Sequence, residues 1–412
     1  MLVGQGEIEQ HITSFYKNLF RAGPPRNLKL SPSFWSDRHI LSREEGTSLI
    51  RDFQEEDVKS AMFSMKSNSA PGPNGFGVHF FKSFWHVIGK DYFALFQDLH
   101  KGVLDIRRLN YGVITLVLKV HEANNIKQYR PICLLNVNYK GITKVLTNRF
   151  STLAQTVIGG NQTGFVKGRN ILKGVVVLHE VIHELKRTKR KGIILKIDFE
   201  KAYDKVRWDF LEEVLTGKGF PPKWINWIMQ SVKGERVCVN VNGQRGPYFR
   251  TFGGLRQGDP LSPLLFNLVA NVLSNMLDKT VAKGHLVGTL DWLIQGGISH
   301  IQYADDTVIM IDGSERSILS LKLILYCFEW LSGLMINYHK SDVYVFGVDQ
   351  ERKEVLANML NCRLGDWPMK YLGLPISEHK VGSHAFTGLV DKMRKKLDPW
   401  KGRNLSLGWE ED

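Results

Sequence analysis

The chain has 412 residues, 43% of them apolar, enough to bury a large core and, by length, to form two or three domains. Fifty-five Lys and Arg against 41 Asp and Glu leave a net charge of +14, which suits a polyanionic partner, either nucleic acid or an anionic membrane surface. Cys133, Cys238, Cys327 and Cys362 form no CxxC and complete no zinc site with His, the opening MLVGQGEIEQ has no signal-peptide run, and apolar runs such as residues 264–273 are too short to span a bilayer. Buried thiols and an intracellular chain, nuclear or cytoplasmic and not secreted, are therefore expected.

The first 66 residues read as helical, with Ile8, Ile12, Phe15, Tyr16 and Leu19 at helical spacing, a break at Pro24-Pro25 and a second helix through Glu55, Val58, Ala61, Met62 and Met65. SNSAPGPNGFG, residues 67–77, is an irregular loop. An aromatic-rich helix is predicted over residues 80–102, a strand over 112–120, and helices over 139–150 and 171–186. GIILKIDF, residues 192–199, reads as a buried strand with one acid near its end. Helices follow over 208–216 and 224–229, and strands 237–241 and 248–252 are expected to pair across Asn242-Gly243. A long apolar helix spans 261–277, a hairpin with two acids at its tip spans 300–311, and a helix covers 318–331. Strands are expected over 343–346 and 371–374, and the last forty residues read as helical and basic. This mixed order of helices and strands predicts an α+β fold. Trp85, Trp208, Trp224, Trp227 and Trp330 lie among apolar neighbours and are read as core.

Three segments carry chemistry. In YADD, residues 303–306, Asp305 and Asp306 sit between apolar strand segments. Adjacent carboxylates repel, and burial disfavours their charged form; a divalent metal relieves both, while a plain solvated turn is the competing explanation. Asp198 ends an apolar strand in KIDFEKAYDKV, residues 196–206, and serves either as a cleft-facing acid or as a helix N-cap. GLRQGDPLSP, residues 254–263, combines glycines that permit close backbone approach with Arg256 and Gln257, which can donate to phosphate or base. Phosphoryl transfer needs two metals bridged by carboxylates from separate segments, and a lone acid, a Gly/Gln loop and an acid pair supply that set in order.

These blocks resemble reverse transcriptase motifs A (residues 198–204), B (254–263) and C (303–306). The surrounding sequence is similar to the polymerases of non-LTR, LINE-type retrotransposons, especially those of plants. SAPGPNGF (69–76), ITLVLKV through YRPICLLN (114–136) and NQTGFVKGRNI (161–171) resemble the family's amino-terminal blocks; INYHKSDV (336–343) resembles motif D and YLGLPI (371–376) motif E. The likeness covers roughly residues 55–410.

The resemblance implies a right-hand polymerase palm and fingers: a helical amino-terminal extension over 1–66, fingers over 67–190, palm over 191–376 and a truncated thumb over 377–412. It implies RNA-directed DNA polymerase activity on an RNA template and DNA primer with dNTPs and two Mg²⁺ ions, or Mn²⁺, with no membrane and no evident protein partner. Asp198, Asp305 and Asp306 would be the metal ligands and Tyr203 the steric gate under the sugar. Lys119 and Arg130 would hold the triphosphate, Gln257 and Gly258 would line the nucleotide pocket, Lys340 would donate a proton to pyrophosphate, and Tyr371, Leu372 and Gly373 would form the primer grip.

The family often has Pro where Leu118 stands, Asp at Asn74 and Pro at Lys167; none of these departures removes a metal ligand. The ending in WEED, without an endonuclease before or an RNase H after, reads as a fragment of a larger element. Lys186, Arg187, Lys189, Arg190 and Lys191 would touch a nucleic-acid backbone, or form a solvated helix end; Lys392, Arg394, Lys395, Lys396, Lys401 and Arg403 pose the same choice. Two rivals stand beside the polymerase: a non-catalytic nucleic-acid-binding scaffold, and an RNA-dependent RNA polymerase, against which Tyr303-Ala304 and bulky Tyr203 both argue.

Overall fold

A computed structural model of the chain describes residues 4–35, 39–379 and 382–404. Expectations for residues 405–412, and for the side chains of Lys401 and Arg403, lie outside the described residues. The helices α1 (Gln5–Leu19), α2 (Arg43–Leu49), α3 (Glu55–Ser64), α4 (Val78–Ser83) and α5 (Trp85–Lys101) come first. Then come β1 (Tyr111–Leu118), β2 (Tyr129–Leu135), α6 (Val137–Val157), α7 (Leu172–Thr188), β3 (Gly192–Ile197), α8 (Ala202–Lys205), α9 (Trp208–Gly217) and α10 (Pro222–Val232). The middle of the chain forms β4 (Arg236–Val241), β5 (Gln244–Arg245), β6 (Phe249–Arg250), α11 (Ser262–Ala282), β7 (His300–Tyr303), β8 (Asp306–Ile311) and α12 (Glu315–Ser332). It closes with β9 (Asp342–Phe346), α13 (Gln350–Met359), β10 (Arg363–Leu364), β11 (Met369–Tyr371), β12 (Leu374–Ile376) and α14 (Thr387–Asn404). The fold class is α+β.

Local chemistry sets several boundaries. A capping box opens α2, with Ser42 Oγ accepting from the Glu45 N–H at 3.1 Å and the Glu45 carboxylate accepting from the Ser42 N–H at 2.9 Å. Gly102 stops α5 in the left-handed region at φ 78°, and Pro222 starts α10, where its missing N–H costs nothing.

The chain divides into two compact units. The first comprises Met1–Arg169, Phe199–Asp278 and Leu323–Ile336. Its sheet runs β2-β1-β4-β5, with β6 also on β4; β1 pairs antiparallel with β2 and parallel with β4. Its helices pack around Phe53, with the rings of Phe96 and Trp227 each centred 5.3 Å away. The Arg149 guanidinium stacks 4.1 Å over Phe53 and donates to the carbonyls of Leu49, Arg51 and Asp52, which compensates burial of its charge.

The second unit comprises Asn170–Asp198, Lys279–Lys322 and Asn337–Asp412. Its sheet runs β10-β9-β3-β8-β7, with β3 in the centre. A strand covered on both faces reads as an unbroken apolar run, and five of the six β3 residues are buried. One stripe of α7, Leu178, Val181, Ile182 and Leu185, packs on Ile194, Val308, Met310, Tyr344 and Phe346.

Some expectations need correction. The helix over 80–102 is two helices that meet at Phe84. β4 pairs across Asn242-Gly243 with the short β5, and the later strand is only Phe249–Arg250. Residues 371–374 are not one strand, because Leu372-Gly373 turns between β11 and β12. Trp330 is not core: it is 46% exposed and lines an open cleft of about 590 Å³ with Tyr326 and Met335. Cys133, Cys238 and Cys362 are buried free thiols, whereas Cys327 is buried only in part. Among the described residues no helix is long and apolar enough to cross a membrane.

Candidate active site

The three aspartates all belong to the second unit. β3 pairs with β8 through Ile197 opposite Thr307, so one antiparallel step further sets Asp198 opposite Asp306. Tyr303 faces Asp306 from β7. Asp305 lies in the two-residue turn of that hairpin, after Ala304 at φ 53°. A non-glycine residue there is strained by about 1–2 kcal/mol, a cost typical of functional turns. The β-hairpin thus brings an acid pair beside the acid that ends the central strand.

Asp198 is held from its backbone. Its N–H donates to Ser341 Oγ at 3.1 Å, and its carbonyl accepts from the Asn337 N–H at 2.8 Å. The 337–341 turn that carries exposed Lys340 is thereby tied to the motif A acid. The Asp306 carboxyl is pushed up by burial and by the negative charge of Asp305, with Lys196 opposing and Asp198 adding to the rise. Three carboxylates within electrostatic reach, with one lysine against them, form a site that a divalent cation would neutralise. Among the described residues no group of three His, Cys, Asp or Glu side chains is placed so that it could hold a metal ion.

The β11–β12 hairpin has Leu372 at φ 50° and Gly373 at φ 84°, the signs of a type I′ turn. Gly373 is exposed at the tip, whereas the Tyr371 ring is buried, only 1% exposed, and within electrostatic reach of Asp306. Tyr371 therefore anchors this hairpin, and the turn is its presented part.

The other candidate residues lie in the first unit. Tyr203, on α8, is half-buried and its ring stacks on that of Phe266 at 4.6 Å and 16°. The motif B loop is fastened on two sides. The Leu255 N–H donates to the Tyr203 carbonyl at 2.7 Å, the Gly254 N–H to the Val206 carbonyl at 2.8 Å, and Trp208 Nε1 to the Gly254 carbonyl at 2.7 Å. From β2, the Cys133 N–H donates to the Gln257 carbonyl at 2.8 Å. Gly258 has φ 118°, and a Cβ there would lie 2.7 Å from the Cys133 carbonyl, so close approach requires glycine.

Within this loop Arg256 and Gln257 part company. Arg256 is buried and donates to Asn110 Oδ1, Tyr139 Oη and the Ser231 carbonyl, with Glu235 at 2.9 Å. It is a staple of the interior and not a phosphate or base donor. Gln257 Nε2 instead donates to Asp204 Oδ1 at 3.4 Å. Lys119 and Arg130 are exposed, and the β1–β2 register, continued by the Lys119 N–H to the Gln128 carbonyl, puts them on one face of the ladder.

The burial of Asp204 and the packing of α1 beside the motif B loop were not read from the sequence. Asp204 is 4% exposed, and burial pushes its carboxyl up to about 7, with Lys201, Gln257, Lys119 and Lys205 opposing. Lys201, at φ 47°, is lowered to about 8 by burial, and its ammonium sits 4.0 Å from the Phe15 ring and 5.6 Å from Tyr16. Gln5 donates to the Val241 carbonyl at 3.1 Å, and the Phe252 N–H donates to the Phe20 carbonyl at 2.9 Å, so the amino-terminal helix is fixed to the strand and loop before motif B. The only sequence signal was the Phe15-Tyr16 pair on the apolar side of α1.

The basic run at the end of α7 is partly committed: Lys186 donates to the Glu378 carbonyl at 2.9 Å, Arg187 pairs with Glu184 at 2.8 Å, and Arg190 stacks 4.3 Å from the Trp292 ring. Lys189 ends the helix in the left-handed region and Lys191 is exposed.

Residues 119–376 match the family described as reverse transcriptase (RNA-dependent DNA polymerase). The chain is 26% identical over 409 residues to the transposon TX1 uncharacterized 149 kDa protein of Xenopus laevis, covering 96% of this chain and 30% of that protein. It is 27% identical over 291 residues to the retrovirus-related Pol polyprotein from the type-1 retrotransposable element R2 of Nasonia vitripennis, covering 70% of this chain and 27% of that one. An uncharacterised mitochondrial protein of Arabidopsis thaliana is 35% identical over 111 residues, which are 26% of this chain and 87% of that protein. The chain thus spans under a third of the TX1 and R2 proteins. With well over half its length matched to one family, and with retrotransposon proteins among its relatives, this chain belongs to the reverse transcriptases, in their non-LTR retrotransposon branch.

Proposed function

We propose that the chain is the polymerase core of a LINE-type retrotransposon protein, extending a DNA primer on an RNA template by nucleotidyl transfer from dNTPs. The observation that carries this reading is the meeting of Asp198, Asp305 and Asp306 at the ends of adjacent strands, with the Asp306 carboxyl pushed up by burial and by its acidic neighbours. In this reading residues 1–66 are a helical extension, 67–190 the fingers, 191–376 the palm and 377–412 part of a thumb.

Asp198, Asp305 and Asp306 would hold two Mg²⁺ ions. The chemistry such ions supply is Lewis-acid activation of the primer 3′-hydroxyl and neutralisation of the triphosphate and leaving pyrophosphate. Lys119 and Arg130 would bind triphosphate oxygens, Arg130 with its fork of donors. Tyr203, braced by Phe266, would press against the sugar and exclude a 2′-hydroxyl. Gln257 and Gly258 would border the base, Lys340 would protonate pyrophosphate, and the Leu372-Gly373 turn would hold the primer end.

Primer extension by the purified chain tests the reading, with RNA and DNA templates, dNTPs or rNTPs, and Mg²⁺ with or without EDTA. EDTA-sensitive incorporation of dNTPs on RNA is expected. A folded chain that binds the primed template and extends nothing would leave the scaffold reading instead.

A further inference from the structure

Residues 58–90 contain no Asp or Glu, yet hold Lys59, Lys66, Lys82, Lys90, His79 and His86. Within this stretch Phe76, Phe80 and Phe84 stand in a row, with centroids 4.7 and 5.0 Å apart. Phe76 and Phe84 are each 48% exposed. The opposite face of α4 supplies the packing, since Val78 and Phe81 are buried at 1% and 6%. A further exposed ring, Phe63, meets the edge of Trp85 at 5.9 Å.

The row is held in place. The Phe76 N–H donates to Asn74 Oδ1 at 3.2 Å, the Asn74 N–H to Asn136 Oδ1 at 3.1 Å, and Arg245 to the Pro73 carbonyl at 3.0 Å. Lys82 is fixed by the Met65 carbonyl at 2.7 Å and Ser67 Oγ at 3.1 Å, and its ammonium lies 5.9 Å from the Phe63 ring. Pre-ordered apolar rings left in water mark a binding surface, and the surrounding charge decides what it binds. A segment with lysines and no acid matches a ligand that combines flat apolar faces with a line of negative charge. That ligand is single-stranded nucleic acid, whose bases stack on aromatic rings while its phosphates meet lysines.

We infer that Phe76, Phe80 and Phe84 form a stacking platform for single-stranded nucleic acid, within the acid-free segment 58–90 that carries exposed Lys66 and Lys90. The platform rests on the reading of the chain as a nucleic-acid-binding protein, and it does not require polymerisation. Its bases are recognised by their faces, so binding is tolerant of sequence.

The test is fluorescence anisotropy of the full chain with labelled oligo(U) and oligo(dT) of about 15 nucleotides, and with a blunt duplex of equal length, across a salt series. F76A/F84A is expected to weaken single-strand binding about tenfold or more with an unchanged salt slope, while duplex binding is retained. K66A/K90A is expected to make the salt slope shallower. The RNA and DNA arms tell which strand is preferred. Phe84→Trp supplies a readout that survives if the alanine variant unfolds: the emission added by the new indole is expected to be quenched by the oligonucleotide. Unchanged single-strand affinity in F76A/F84A, equal loss for duplex, or no quenching of that added emission in the F84W variant would each overturn the platform. So would self-association lost in F76A/F84A while oligonucleotide affinity stays, because the rings would then serve a protein contact. Loss of primer extension with single-strand binding intact would count against the polymerase reading alone.

Discussion

At the residue scale the site is a cluster of like charges, with Asp198, Asp305 and Asp306 all exposed. Asp306 sits beside Asp305 and Asp198 with Lys196 against them, so its charged form is disfavoured. Asp306→Asn is therefore expected to abolish primer extension while raising the midpoint of thermal unfolding in EDTA; a fall in that midpoint would contradict the charge assignment. Asp204, by contrast, is a buried acid, with its carboxyl pushed up to about 7 by burial. A folded-state value above the ordinary one means that the stability Asp204 contributes is present at low pH and lost as pH rises toward and through 7. Asp204→Asn is thus expected to gain stability over the parent between about pH 4 and pH 8, read as unfolding midpoints across pH. Because Asp204 accepts from Gln257, the same variant is expected to raise KM for dNTP more than it lowers kcat. Tyr203→Val tests the gate: ribonucleotide incorporation relative to dNTP should rise about tenfold or more, on the order of 1.4 kcal/mol of discrimination. Asp198, Asp305 and Asp306 stood out in sequence because acids between apolar strand segments are costly. The burial of Arg256 and Asp204 did not, because an Arg beside Gln and an Asp beside Lys look alike whether they point outward or inward; only the packing of Tyr139, Glu235 and Gln257 decides.

At the element scale, a close backbone contact holds the motif B loop against β2. Gly258 lies at φ 118° against the Cys133 carbonyl, so Gly258→Ala must shift either the loop or β2. It is expected to cut dNTP incorporation at least tenfold with a modest loss of stability, roughly 1–3 kcal/mol. Ile194, in the middle of β3, is fully buried, and Ile194→Ala is expected to destabilise by about 2–5 kcal/mol in denaturant titration. The long periodic elements, α1, α7 and α11, were readable from spacing, and so was the hairpin around YADD. The breaks were harder. Phe84 interrupts an unbroken apolar pattern without any Gly or Pro, and Leu372-Gly373 forms a turn whose first residue carries no turn preference. Both are decided by tertiary packing, which outweighs local propensity.

At the scale of the whole molecule, each compact unit is assembled from three separate stretches of chain. A reading that cuts the sequence into consecutive domains sees contiguous borders and misses this weave, as it missed the attachment of α1 to the elements before motif B. The net charge of +14, by contrast, was plain from composition and implies that template binding weakens steeply with salt. The central claim is that three aspartates at one end of one sheet perform metal-dependent nucleotidyl transfer. Its most direct test is single-turnover primer extension on an RNA template by the parent chain and Asp305→Ala, with template–primer affinity measured in parallel. The account predicts a loss of at least about a thousandfold in extension rate, as expected when electrostatic stabilisation of transferring phosphate is removed, with affinity changed by less than about threefold. Extension that survives in Asp305→Ala at a comparable rate would contradict it.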